Sequence, residues 1–159
     1  MKYIGLTLLV FSGYLAYRSY RAELLYSERL LGELISLLRE HRHKVGFLLM
    51  PMSRWVGGFD SELLMSLGVL DALEKLPPRE AFESFKSKLS LPPSALAVLG
   101  DFFEYSGTQD GTLELSRCDS TLAALEKIHS EEKGRTASRL KLALAIGFAV
   151  ILGTLIIML

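Results

Sequence analysis

The chain ends in an uncharged run of 18 residues, 142–159, and this run constrains the fold more than any other feature. At about 1.5 Å of rise per helical residue it reaches roughly 27 Å, close to the thickness of a bilayer's hydrocarbon core. A buried core helix is the alternative. Such a helix normally keeps a polar face, however, and Thr154 is the only polar side chain in the run. The run therefore predicts a C-terminal transmembrane helix.

A shorter apolar run lies near the start of the chain, where residues 3–17 are 15 residues without a charge. As a helix they cover about 22 Å, which is short of a full span. Lys2 and Arg18 flank the run and can extend their aliphatic stems towards the lipid headgroups. A secretory signal peptide is the alternative, but residues 15–17 make a poor small-x-small cleavage site. The sequence thus favours an uncleaved anchor.

Basic residues predict how the chain crosses the membrane. Four of them precede the C-terminal run, namely Lys133, Arg135, Arg139 and Lys141. Because loops with excess lysine and arginine stay in the cytoplasm, the middle of the chain is predicted to be cytoplasmic.

The chain accordingly divides into an N-terminal anchor (1–17), a cytoplasmic helical domain (18–141) and a C-terminal transmembrane helix (142–159). We predict a double-pass protein in contact with membrane lipid. The membrane-flanking residues are Lys2, Arg18, Arg21, Arg139 and Lys141.

Composition argues against several functional classes. The 159 residues carry 18 basic and 18 acidic side chains, so no excess of positive charge favours nucleic-acid binding. The single cysteine, Cys118, excludes an internal disulfide framework and lies in the apolar register of the last helix, which predicts a core residue. No phosphate-binding loop, zinc-protease motif or nucleophile elbow occurs in the sequence, so we predict neither catalysis nor a cofactor.

His41 and His43 are the closest approach to a metal-binding pair. Residues two apart on a helix point in different directions, and no third ligand lies nearby in the sequence. We therefore interpret both as part of a solvated, basic helix end.

Helical periodicity, without the alternation typical of strands, predicts an all-α fold. The first helix continues out of the N-terminal anchor, and Gly46 and Pro51 mark its end. Asp110 or Thr112 is predicted to cap a long last helix that continues into the membrane.

Three shorter helices are predicted between the two long ones. The first is capped by Asp60 and stopped by the prolines at 77–78. The second covers residues 79–89, and the third runs from the prolines at 92–93 to Gly107.

The two long helices have matching lengths outside the predicted membrane. Residues 18–44 and 112–138 are 27 residues each, so each arm would extend about 40 Å from the bilayer. We expect an antiparallel stalk with the three shorter helices packed against it. Its far end would be a mildly basic tip, which is either the face for a cytosolic partner or an ordinary solvated helix end. The alternative partner face lies around Phe82 and Phe85. The interface candidates at the tip are Arg39, Arg42, His43, Lys44, Gly107, Asp110 and Gly111.

The whole chain resembles the stage III sporulation protein AB family of endospore-forming bacteria. The resemblance lies in the short first span, in the arginine-containing segment YRSYRAELLYSERLLGELISLLRE with Arg21, and in LLMPMSRWVGGF, which stands in place of the family's Pro-Leu-led helix. It also lies in GTQD at the family's Leu-Gly-x-Ser-Asp turn and in the final Leu/Gly-rich membrane helix. The chain departs from the pattern at Ser106, at Gln109, and at Leu113 or Glu114, where leucine, serine and glutamine are usual.

The resemblance implies a non-enzymatic platform component of the channel between mother cell and forespore, similar to the F-type platform protein of type II secretion. It implies a place in the mother-cell membrane around the forespore, with the main domain in the mother-cell cytoplasm. The implied partners are the ATPase stage III sporulation protein AA and other membrane proteins of the channel. The sequence leaves the oligomeric state open, with a homo-oligomer as one alternative. A transmembrane sensor and a generic membrane adaptor are the alternative functions.

Overall fold

The computed structural model describes residues 2–48, 50–107 and 111–158, and within these ranges the chain is helical without a strand. The all-α prediction is thereby confirmed. The α-helices are α1 (Lys2–Leu48), α2 (Glu62–Ser66), α3 (Val69–Lys75), α4 (Pro78–Phe85), α5 (Pro93–Tyr105) and α6 (Gly111–Met158). Short 3-10 helices occupy Met52–Arg54, Val56–Gly58 and Lys86–Lys88.

The two long helices begin and end close to the predicted positions. Helix α1 ends at Leu48, between the Gly46 and Pro51 that the sequence marked. Helix α6 begins at Gly111, so Thr112 lies inside its first turn and is not its N-cap. Asp110, the other predicted cap, lies outside the described residues.

Prolines begin the shorter helices α4 and α5. Pro78 and Pro93 each occupy the first turn, where a backbone N–H would have no partner within the helix in any case. Gly107 follows α5 with a φ of 76°, the left-handed conformation in which a side chain is strained and glycine is not.

The helix predicted to run from Asp60 to the prolines at 77–78 differs in two respects. Its N-cap is Ser61, whose hydroxyl accepts a hydrogen bond from the Leu64 N–H at 3.2 Å. The helix is also divided, because Gly68 has a φ of 74° and separates α2 from α3. Four α-helices, and not three, therefore lie between α1 and α6 in the described chain.

The chain forms two compact units, one of residues 27–130 and one of residues 1–26 with 131–159. In the first unit α1 and α6 are antiparallel, since successive positions along α1 contact positions in reverse order along α6. Two pairs are ion pairs, Arg39 with Glu126 and Arg42 with Asp119. In two further pairs a glycine lies beside a side chain of α6, namely Gly32 beside His129 and Gly46 beside Leu115.

An aromatic cluster forms part of the core of this unit. The Phe82, Phe85 and Phe103 rings lie 5.4–6.1 Å apart between centroids, and Phe102 contacts Phe103 at 5.2 Å. Phe82 is 6% exposed and Phe85 is 1% exposed. These two side chains pack inside the unit, so a partner at the alternative face would meet their exposed neighbours Glu83 and Lys86 and not the two rings.

The second unit contains the apolar part of α6. Within the described residues this is the one helix with enough length and apolar character to cross a membrane. Its most apolar stretch of 18 residues has a mean hydropathy of 1.5, and only 6% of that stretch is buried inside the protein. The α6 segment consequently differs from the core helix of a soluble domain, which would be mostly covered by protein.

Candidate functional site

A buried carboxylate lies in the first turn of α6 and contacts the end of α5. Glu114, in the first turn of α6, is 6% exposed and accepts three hydrogen bonds. Ser106 Oγ donates to its Oε1 at 2.7 Å, and the Gly107 backbone N–H donates to its Oε2 at 3.3 Å. His41 Nε2 lies 3.3 Å from Oε1. Glu114 therefore connects the end of α5, the start of α6 and the side of α1.

These hydrogen bonds keep Glu114 ionised. Burial by itself raises the pKa of the carboxyl group. The hydrogen bonds from His41, Ser106 and Gly107 outweigh that effect, so the pKa lies below its usual value. The first turn of a helix also favours an acidic side chain, because the helix dipole is positive there.

His41 is part of the core. Its ring is 2% exposed, stacks on Trp55 at 6.1 Å between centroids and meets the edge of Phe102 at 6.0 Å. The interpretation of His41 as part of a solvated helix end is therefore wrong. His43 fits that interpretation, since it is exposed and its ring lies 4.8 Å from that of Phe47.

Cys118 lies one turn after Glu114 on α6. Its side chain is fully buried, which confirms the predicted core position. Burial raises the pKa of the thiol to about 12, and the carboxylates of Glu114 and Asp119 contribute to that rise. The sulfur is thus a neutral thiol at physiological pH, without the thiolate character of a catalytic cysteine.

A cleft of about 540 Å³ opens beside the buried carboxylate. It is lined by residues 50–53 and 73–78 together with His41, Ser106 and Glu114. Cys118 is not among the lining residues. Of the polar cluster formed by His41, Ser106, Glu114 and Cys118, the cleft therefore reaches the first three.

The basic residues predicted at the tip have acidic partners within the chain. Arg39 Nη2 lies 2.6 Å from Glu126 Oε1, and Lys44 Nζ lies 3.2 Å from Glu40 Oε1. These ion pairs offset the positive charge that the sequence suggested.

Arg42 binds the carboxylate of Asp119 through two of its nitrogens. This pairing raises the pKa of Arg42 and lowers that of Asp119, mainly through the hydrogen bond between them. Both side chains are about half exposed, so the pair is a surface feature with a small effect on stability.

The remaining predicted positions fall into two groups. Gly107 is at the hydrogen-bonded turn, Gly111 begins α6, and Asp110 lies outside the described residues. Among the membrane-flanking residues, four have exposed side chains and Lys2 begins α1. The four exposed residues are Arg18, Arg21, Arg139 and Lys141.

Sequence reasoning did not identify the His41–Glu114 pair. The two residues are 73 positions apart, so only the antiparallel return of α6 alongside α1 brings them together. The available signal was the Glu114-x-x-x-Cys118 spacing, which places a carboxylate and a thiol on one face of a helix.

Comparison with family models, curated proteins and solved structures finds no match to this chain. The structural class of this protein therefore rests on its fold and its polar cluster alone. Over the residues that the structure describes, it is an all-helical protein with one candidate membrane-spanning helix and a buried polar cluster in a compact helical unit.

Proposed function

We propose that this chain is a double-pass membrane protein whose residues 18–141 form a cytoplasmic helical domain. The observation that carries the proposal is the exposure of α6, where Leu142, Phe148 and Leu152 are 60–66% exposed. Lipid is the solvent that suits such a surface. On α1, Phe11 and Tyr14 are 60% and 59% exposed, which supports a second span.

The proposed stalk is formed by the arms 18–44 and 112–138. Within residues 27–130 the antiparallel contacts between α1 and α6 support it. Two helices that are anchored in one membrane at opposite ends of the chain must run in opposite directions, so antiparallel pairing agrees with the double-pass arrangement.

The function we propose is that of a non-enzymatic platform in a secretion-like channel. Such a protein would couple the ATPase stage III sporulation protein AA to the membrane complex between mother cell and forespore. The resemblance to the stage III sporulation protein AB family supports this role, as does the antiparallel pairing of α1 and α6 in a helical unit. The main domain would lie in the mother-cell cytoplasm, in contact with other channel proteins.

The proposed partner surface is formed by the C-terminal end of α1 and the N-terminal start of α6. Phe47 is 77% exposed, Leu48 is 57% exposed and Leu113 is 56% exposed. Because Arg39, Arg42 and Lys44 are paired with acidic side chains of the chain, apolar contact is the stronger source of affinity here.

Co-purification from sporulating cells tests the proposal. A tagged wild-type chain should recover the ATPase, and Phe47→Ser should reduce recovery at least several-fold. Met65→Ser is the matched control, because Met65 is also an exposed apolar side chain, at 62%, but lies on α2. Failure of the folded, membrane-inserted wild-type chain to recover the ATPase would contradict the platform role.

A transmembrane sensor is the second candidate function. The observation that favours it is the cleft beside His41, Ser106 and Glu114, which could receive a ligand. If the chain is a sensor, a small molecule should change its stability or protease sensitivity in the absence of the ATPase. If it is a platform protein, addition of the ATPase should change them.

A further inference from the structure

Three potential metal ligands meet inside the unit formed by residues 27–130. Glu114 and Cys118 are four residues apart on α6, which puts them on one face, and His41 reaches them from α1. One ligand atom from each side chain lies within 4.8 Å of the other two. All three side chains are more than nine-tenths buried.

A second observation is that one polar atom of this group lacks a hydrogen-bond partner. The Nδ1 atom of His41 is buried and has no hydrogen-bond partner within the described chain. Buried polar side-chain atoms nearly always have a partner, and an unpaired one requires an explanation. A ring that is 2% exposed, next to a carboxylate and a thiol, has the position of a ligand to a metal ion.

The donor set selects the class of ion. Imidazole nitrogen, carboxylate oxygen and thiol sulfur suit zinc and similar ions, whereas calcium and magnesium prefer ligand sets made entirely of oxygen. We propose that His41, Glu114 and Cys118 bind one divalent transition-metal ion of the zinc class.

Charge balance supports this assignment. On binding, the Cys118 thiol would release its proton to solvent and its sulfur would form a bond to the metal. Glu114 is already anionic and His41 would bind as neutral imidazole, so the two anions would balance the two positive charges of the ion. The cleft that His41 and Glu114 line provides room for water as a fourth ligand.

Outer hydrogen bonds would hold the carboxylate in place. Ser106 Oγ donates to Glu114 Oε1 at 2.7 Å, and Gly107 N–H donates to Oε2. Loss of such an outer partner typically lowers metal affinity by about 10–100-fold. The bound ion would link α1 to α6 and stabilise the folded chain at concentrations above its dissociation constant.

Cobalt titration of the full chain in detergent micelles, after treatment with a chelator, tests the proposal. Wild-type protein should bind one cobalt ion per chain and develop a thiolate-to-cobalt charge-transfer band, and added zinc should abolish the band. Cys118→Ser should abolish it as well, and Ser106→Ala should weaken binding by about 10–100-fold. His41→Gln should weaken binding more than Ser106→Ala does.

His43→Gln is the matched control, because His43 is two residues from His41 but exposed, and it should bind cobalt like the wild type. A folded wild-type chain without the charge-transfer band would overturn the proposal, and this outcome does not depend on any variant folding. A band that persists in Cys118→Ser, or that is lost in His43→Gln, would also overturn it by locating the ion elsewhere.

Discussion

Glu114 shows why a single buried carboxylate can organise a helical turn. A charge in a protein interior is costly unless hydrogen bonds compensate for it. Here the compensation comes from Ser106 and Gly107 at the end of α5 and from His41 on α1. The same hydrogen bonds connect the end of α5 to the first turn of α6 and to the side of α1.

Removal of this acceptor should destabilise the fold. Glu114→Ala leaves two buried groups, the Ser106 hydroxyl and the His41 ring, without their shared partner. We expect a loss of about 1–3 kcal/mol in the free energy of unfolding, measured by denaturant titration of the full chain in detergent. Glu126→Ala removes an exposed ion pair with Arg39 and should cost less than about 1 kcal/mol. Equal losses would contradict the structural role of Glu114.

The stabilisation by Glu114 should depend on pH. Because the pKa of Glu114 is lower in the folded chain, its contribution is fully present above the unfolded value of about 4.3 and is lost as the pH falls through the folded value. Glu114→Gln has no carboxyl group to titrate. With a chelator present, the stability difference between wild type and Glu114→Gln should shrink in acid, and a difference that is constant with pH would contradict this.

At the scale of helices, the sequence predicted most boundaries because prolines and glycines act locally. The prolines that begin α4 and α5 are examples. The apolar run of α6 is also a local signal, because its length alone predicts a long helix. The division at Gly68 was missed because apolar periodicity continues through residues 62–76, and the periodicity does not report the sign of φ. The burial of His41 was missed because it depends on α6, far along the chain.

Gly68 provides a test of the α2–α3 division. Its φ of 74° is strained for any residue with a Cβ atom, so Gly68→Ala should destabilise the chain by about 1–2 kcal/mol. Gly134→Ala is the control, since Gly134 lies inside α6 with open space around it and should be neutral or stabilising by up to about 1 kcal/mol. Thermal unfolding of the full chain in detergent measures both, and a neutral Gly68→Ala would argue for one continuous helix.

Charge substitutions in α6 test its membrane insertion. Leu152 is 60% exposed within the apolar segment, and an arginine there should cost about 2.5–3.5 kcal/mol on insertion scales. Leu152→Arg should therefore move protein from the membrane to the soluble or degraded fraction. Leu113→Arg, at 56% exposure near the start of α6, should have little effect on fractionation. We expect Leu9→Arg to cost less retention than Leu152→Arg, because snorkelling is easier from a short span.

At the scale of the whole molecule, the account depends on which side of the membrane the helical unit occupies. The structure divides the chain at residues 26–27 and 130–131, whereas the predicted membrane boundaries lie at 17–18 and 141–142. Both divisions keep residues 27–130 together. Those residues carry the polar cluster and the proposed partner surface, so a cytosolic ATPase can reach them only if they are cytoplasmic.

Thiol labelling of an introduced cysteine is the most direct test of that placement. Lys88→Cys puts a thiol on an exposed site of the helical unit, while the native Cys118 is buried and its raised pKa, about 12, keeps it unreactive. The wild-type chain is the control and should not be labelled before or after permeabilisation. In intact vegetative cells that express the chain in the cell membrane, whose outer face is open to the reagent, an impermeant reagent should leave Lys88→Cys unlabelled, and permeabilisation should make it fully reactive. Labelling of Lys88→Cys in intact cells would place the unit outside the cytoplasm and contradict the proposed function.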